Sequence, residues 1–210
     1  KLYRHYCIEG RTNRLSKDPY ILDHIKNPDF ESGLDGWSVS PAETGSVDVK
    51  RMEGIGWLQG RYPKDDQGDT FLWMKRSERK PNTVSQVIRN LQAGRIYSFK
   101  MYTGDFLKLT KKDRHAISVA IEGVNLIGER SFQTVFANCY SHHIPKYGEK
   151  DTYFNYFRMV FRATGGTAKL TISDWISDQE PGGPIGQELL CNFIEIEPYL
   201  MEDGLCDAGA

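Results

Sequence analysis

Carboxylates are plentiful in this sequence, at Glu43, Asp65, Asp66, Asp105 and Glu122 among others, but nothing in their spacing pairs them. Hydrolytic acid–base chemistry needs two placed carboxyl groups, or a nucleophile beside a base. No Gly-x-Ser-x-Gly elbow, phosphate-cradling glycine loop or His-Glu-x-x-His pair is present. His142 and His143, with His115, are the remaining candidates for metal or proton chemistry. Neighbouring residues on a strand point to opposite faces, so the pair does not chelate from a strand, and a solvated loop is the expectation for these histidines. Cys7, Cys139, Cys191 and Cys206 have no close spacing, which argues against a zinc or redox motif. Cys7 and Cys206 form one disulfide if the chain ends meet; four free thiols is the alternative.

Composition narrows the partners. A formal net charge of −1, with acids and bases interspersed, gives no electrostatic case for nucleic acid or an anionic membrane. No apolar run approaches the length of a spanning helix, so membrane insertion is not expected. The first residues, Lys-Leu-Tyr-Arg-His-Tyr-Cys, lack the apolar core of a secretory signal and do not begin with Met, and the chain reads as a fragment of something longer.

The elements that would position any site are strands. Alternation of apolar and polar residues marks Ser46–Met52, Thr70–Arg76, Thr83–Leu91, the stretch led by Tyr97, Ile117–Ile121, Phe132–Tyr140, Tyr156–Ala163, Ala168–Ser173 and Leu190–Tyr199. Glycine, proline and polar clusters separate them, and Glu53–Asp69 is a long loop carrying Trp57. About nine short strands and almost no helix predict an all-β antiparallel sandwich of jelly-roll type. Phe157, Met159, Phe161, Leu170, Ile172, Ile194 and Ile196 are expected inward. The expected organisation is a connector over residues 1–26, the sandwich over 27–200 and a tail over 201–210.

One stretch is more specific. Asn27-Pro-Asp-Phe-Glu-Ser-Gly-Leu-Asp-Gly-Trp37 sets three large apolar side chains, Phe30, Leu34 and Trp37, in a polar segment with glycines at 33 and 36. A turn between Phe30 and Trp37 would plug one end of the core with them. This stretch resembles the opening signature of jelly-roll carbohydrate-binding modules, of the family four, nine and twenty-two type with the galactose-binding-like fold. A Gln-Val strand followed by Leu91-Gln-Ala-Gly94 and a Tyr-led strand is similar to a second habit of that group.

The resemblance implies a non-catalytic accessory domain that binds a polysaccharide or oligosaccharide and is covalently linked to a glycan-degrading catalytic domain, secreted or at the cell surface. Sugar rings offer apolar C–H faces bordered by hydroxyls, so their sites combine aromatic platforms with hydrogen-bonding side chains. The candidate platforms are Trp57, Tyr102, Tyr140, Tyr153 and Tyr156, and the candidate polar contacts are Arg76, Lys100, Gln133 and Arg158. Core or edge packing is the alternative for each ring; Trp37, and Trp73 beside Phe71, are assigned to the core. The resemblance also implies a structural calcium ion. Asp29 and Glu31 match its acidic positions, and Asn192 stands where an aspartate is usual, which lowers the charge of the site. A turn in which Glu31 accepts backbone N–H groups is the alternative. Two rival functions remain: a jelly-roll lyase or hydrolase with its own Tyr/His/Arg cluster, and a structural domain packed against a catalytic neighbour.

Overall fold

Alternation becomes pairing in the structure, a computed structural model that describes residues 24–56, 68–138 and 144–199. Its strands are β1 (Ser38–Ser40), β2 (Val47–Arg51), β3 (Thr70–Lys75), β4 (Thr83–Ile88), β5 (Ile96–Asp105), β6 (Ser118–Glu122), β7 (Val124–Leu126), β8 (Phe132–Asn138), β9 (Thr152–Ala163), β10 (Ala168–Ser173) and β11 (Glu188–Pro198). The smaller sheet runs β1-β4-β10-β6 and the larger runs β2-β3-β11-β5-β9-β7, with β8 also paired to β9. All named pairings are antiparallel. The protein is an all-β antiparallel sandwich of jelly-roll type. The expectation of nine strands was short, because β1 and β7 have three residues each and too little alternation to read.

The main core lies between the sheets. Leu72 and Met74 from β3, Phe99 and Met101 from β5, Phe161 from β9 and Cys191, Ile194 and Ile196 from β11 meet Val84, Ile88, Leu170 and Ile172 of the smaller sheet. Phe157 and Met159 pack against this cluster from β9, as their alternation requires. A second apolar cluster covers part of the outer face of the larger sheet. It joins Phe71, Trp73, Leu190, Phe193 and Phe154 to Met52, Ile55, Leu109 and Ile144 from the loops. This double burial explains why Thr-Phe-Leu-Trp-Met-Lys in β3 is apolar on both faces. Trp73 is therefore buried, but on the outer side of its sheet rather than between the sheets.

Residues 27–37 close one end. Asn27, at φ 49°, is the hub of the loop. Its amide donates to the carbonyls of Gly33 (2.8 Å) and Asp35 (3.1 Å), and its side-chain oxygen accepts the Ser32 N–H (3.1 Å). The Asn27 carbonyl accepts the Trp37 indole N–H at 3.0 Å. Phe30 and Trp37 stack with centroids 5.3 Å apart and are buried; Leu34 is partly buried against the same core. Gly33 and Gly36 hold the positive φ values the turn requires. Just before this loop, Ile25 enters the core and the His24 carbonyl accepts the Arg89 N–H.

Near the middle of β11 the register slips between Asn192 and Glu195. Phe193 has φ 59°, and the Asn192 side-chain oxygen accepts its N–H at 2.6 Å. This bulge sends Phe193 into the outer cluster while Ile194 enters the main core. Cys191 is a buried free thiol, and its surroundings push its pKa up by desolvation. Cys7, Cys139, Cys206, His142 and His143 lie outside the described residues.

Candidate functional site

Strand register places two rows of side chains across the outer face of the larger sheet. The first row crosses β11, β5, β9 and β8 as Glu195, Lys100, Arg158 and Phe132. The second crosses the same strands as Asn192, Tyr102, Tyr156 and Thr134. Neighbouring strands are about 4.8 Å apart, so each row is roughly 14 Å long, enough for two or three linked sugar rings. Lys100, Tyr102, Tyr156 and Arg158, all expected as candidates, thus stand side by side.

The rows combine rings and charges. Tyr156 lies edge-to-face between Tyr102 (5.4 Å) and Phe132 (5.7 Å). Phe132 is a large apolar side chain left 41% exposed. The Arg158 guanidinium sits over the Phe132 ring at 4.6 Å and near that of Tyr199 at 5.6 Å, and its Nε donates to the Arg130 carbonyl. Lys100 ion-pairs with Glu197 and lies 3.9 Å from Glu195. Tyr102 is more enclosed, hemmed by Phe136 and Phe193 as well as Tyr156, and marks the border with the outer apolar cluster.

The other expected sugar contacts fall elsewhere. Arg76 is 1% exposed. It donates to the Asp174 carbonyl (2.7 Å), the Pro184 carbonyl (3.2 Å), the Gln187 side chain and the Ala116 carbonyl, so burial and internal partners keep it from any ligand. Gln133 faces the opposite side of β8 from Phe132. Its amide donates to the His115 carbonyl and to Asn155, each at 2.9 Å, and it braces a loop. Tyr153 pairs with Ala137 on the face opposite Tyr156. Trp57 and Tyr140 lie outside the described residues. His115 is buried rather than solvated: its Nδ1 is 3.0 Å from the Thr103 hydroxyl, and desolvation lowers its pKa to about 4. Neither described histidine, His24 or His115, belongs to the two rows.

Phe132, Glu195, Glu197, Arg130 and Tyr199 were missed in the sequence. The Ile194-Glu195-Ile196-Glu197 alternation carried the signal for the two glutamates, since residues alternating with core isoleucines must face outward.

Asp29, Glu31 and Asn192 do meet, around Thr70. The Thr70 hydroxyl lies 2.8 Å from the Asp29 carbonyl and 2.7 Å from the Glu31 carboxylate, and the Asn192 amide donates to the Thr70 carbonyl. Glu31 also accepts the Gly68 N–H at 2.7 Å, as the capped-turn alternative requires. The Asp29 carbonyl, Glu31 carboxylate and Thr70 oxygens are hard donors of the kind calcium takes, but Asn192 turns its amide nitrogen toward Thr70 and its oxygen to the Phe193 N–H. Among the described residues no three His, Cys, Asp or Glu side chains gather as a metal cluster.

The fold and the two rows together define an antiparallel sandwich with a face of rings and charges on its larger sheet. No protein-family model matches the chain, and no curated protein matches it. Among solved structures it is similar to the enzymatically active domain of tailspike protein 4 of bacteriophage CBA120, at 11% identity and TM-score 0.49, covering 85% of this chain. The match spans 22% of the tailspike chain. It is also similar to TmCBM61, solved in complex with beta-1,4-galactotriose, at 17% identity and TM-score 0.44, covering 84% of this chain and 98% of that one. A third is a putative sugar binding protein from Bacteroides thetaiotaomicron, at 12% identity and TM-score 0.41, covering 84% and 99%. Similarities this weak assign no ligand to this chain. Among the described residues no helix is long and apolar enough to cross a membrane.

Proposed function

We propose that the protein binds a polysaccharide or oligosaccharide, without transforming it, along the two rows on the outer face of its larger sheet. The observation that carries this reading is the adjacency of Phe132 and Tyr156 to Lys100 and Arg158 on one rigid face. Sugar C–H faces stack on the rings, and the charged side chains fix the hydroxyls between them. The opening motif at residues 27–37 supports the same reading, and with it the role of an extracellular accessory domain joined to a glycan-degrading catalytic domain. Calorimetry against a panel of soluble polysaccharides is the test. Binding to one class, weakened about tenfold or more in Phe132→Ala and Tyr156→Ala, is expected, because each ring contributes on the order of 1 kcal/mol or more. A folded protein that binds no glycan would overturn the reading.

Calcium belongs to the same proposal. The Asp29 carbonyl, the Glu31 carboxylate and the Thr70 oxygens would hold it, with the Asn192 amide turned over to present its oxygen, fastening the opening loop to β3 and β11. Saturating calcium is expected to raise Tm by roughly 5 °C over a chelator, as a ligand present at about a hundred times its Kd would. Glu31→Gln removes the shift. An unchanged Tm in the parent protein argues for the turn held by hydrogen bonds alone.

A further inference from the structure

We infer that the sugar taken by this face carries a carboxylate, that is, a hexuronate-containing oligosaccharide, and that Arg158 is the residue that selects it. This rests on the carbohydrate-binding reading above and narrows it to acidic glycans. The charges in the first row are not equivalent. Lys100 has two carboxylates beside it, Glu197 in an ion pair and Glu195 at 3.9 Å. Arg158, the next residue along the row, has no ion pair with any described carboxylate. Its Nε donates to the Arg130 carbonyl, which leaves both terminal nitrogens without a described hydrogen-bond acceptor.

The two rings beneath and beside that guanidinium, Phe132 at 4.6 Å and Tyr199 at 5.6 Å, hold its plane without satisfying its donors. A second guanidinium, that of Arg130, lies 5.9 Å from the Tyr199 ring and donates to its hydroxyl at 3.4 Å. A planar fork of donors fixed on aromatic rings matches the two oxygens of a carboxylate. A neutral sugar would offer it uncharged hydroxyls only, and so weaker hydrogen bonds. Phe132 and Tyr156 then lie where the ring of the uronate would rest. Lys100 is already engaged by Glu197, so Arg158 is the cation of the row placed to take the acid group.

The test compares one oligosaccharide in two forms by calorimetry: oligogalacturonate, and the same oligomer with its carboxyls methyl-esterified. Ring shape and hydroxyls are held constant, the ester removes the charge and adds one methyl group, and the salt dependence separates the charge from the added bulk. The acidic form is expected to bind at least about tenfold more tightly, as a charge-assisted paired contact would provide, and its advantage to shrink in high salt. In Arg158→Gln the ratio of the two affinities is expected to fall to about one, whatever the absolute affinity. Arg158→Lys, which keeps the charge but loses the fork, is expected to give an intermediate ratio and serves if the glutamine variant does not fold. Equal binding of both forms by the parent protein overturns the inference while leaving the carbohydrate reading standing. A preference that survives in Arg158→Gln assigns the acid group to another residue and also overturns it. Binding of neither form, nor of any other glycan, overturns both readings.

Discussion

Replacing Arg76 with Met is expected to cost about 3–5 kcal/mol of stability, the range for removing one member of a buried, hydrogen-bonded charged group. Arg76 sits where three connecting segments converge on the sandwich. Its Nε is 2.7 Å from the Asp174 carbonyl, and its other nitrogens donate to the carbonyls of Ala116 and Pro184 and to Gln187. Asp174 is itself fully buried, with its carboxylate accepting the Asn82 N–H (2.8 Å) and amide (2.7 Å). Desolvation is the largest influence on both charges: it pushes the Arg76 pKa down and the Asp174 pKa up. A methionine of similar length fills the space but takes the Arg76 donors from the carbonyls of Asp174 and Ala116 and leaves Asp174 without its countercharge. Lysine keeps the charge but cannot reach four acceptors in three directions. Packing is tight as well, since a Cβ added at Gly183 would lie 2.5 Å from the Arg76 Nη1.

Urea unfolding measures the loss directly. A cost below about 1 kcal/mol, the range of an exposed ion pair, would show that the network contributes little. The same variant separates two roles for Arg76. As a sugar contact, it would lower affinity in the fraction that remains folded. As a structural tie, it leaves glycan affinity at low temperature equal to that of the parent protein.

Arg76 also shows where the sequence becomes silent. The Thr70–Arg76 strand was legible because four apolar side chains alternate between two faces. That both faces are buried was legible in principle too, since a half-exposed strand would not carry Phe71 and Trp73 opposite Leu72 and Met74. What no local pattern reveals is which arginine ends inside. Arg76, just past the end of β3, and Arg158, within β9, both follow aromatic residues in the sequence. Their fates differ because the acceptors around Arg76 come from residues 40 to 111 positions away. The candidate site divides in the same way. Lys100, Tyr102, Tyr156 and Arg158 could be grouped from alternation within β5 and β9, but their register against each other is set by pairing. The contribution of β11 was harder still. The bulge at Asn192 and Phe193 shifts the register, so Glu195 rather than residue 194 comes to stand opposite Lys100. Gln133 failed as a candidate for the converse reason: in strand β8 it faces away from Phe132, and His115 of a loop and Asn155 of β9 supply its partners.

His115 carries the second large effect. Acidification from about pH 6.5 to about pH 4 is expected to remove about 3 kcal/mol of stability through this one residue. Its imidazole is buried beside Thr103, while the His115 backbone N–H donates to the Asn155 side-chain oxygen at 2.8 Å and the His115 carbonyl accepts from Gln133. Desolvation dominates and lowers the pKa to about 4; Asp105 and Asp113 raise it, and Arg76 adds a smaller lowering. In the unfolded chain the ring titrates near 6.5, so through this window the unfolded state binds the proton and the folded state does not. Stability therefore falls as pH falls from 6.5, and the loss is complete once pH passes below the folded value. Two buried carboxyls act in the opposite sense. Desolvation raises the pKa of Asp69 and of Asp174, so the folded state takes up their protons first and gains relative stability on acidification. The net slope of the parent protein is thus shallower than His115 alone would give, and the comparison must be made with a variant. In His115→Gln, urea midpoints between pH 7 and pH 4 should lose the destabilising component, leaving a flat or inverted profile from the carboxyls. If the variant and the parent protein share one slope, the buried imidazole is not the group that titrates on unfolding, and the stability of the loop that Gln133 and Asn155 brace does not depend on its protonation.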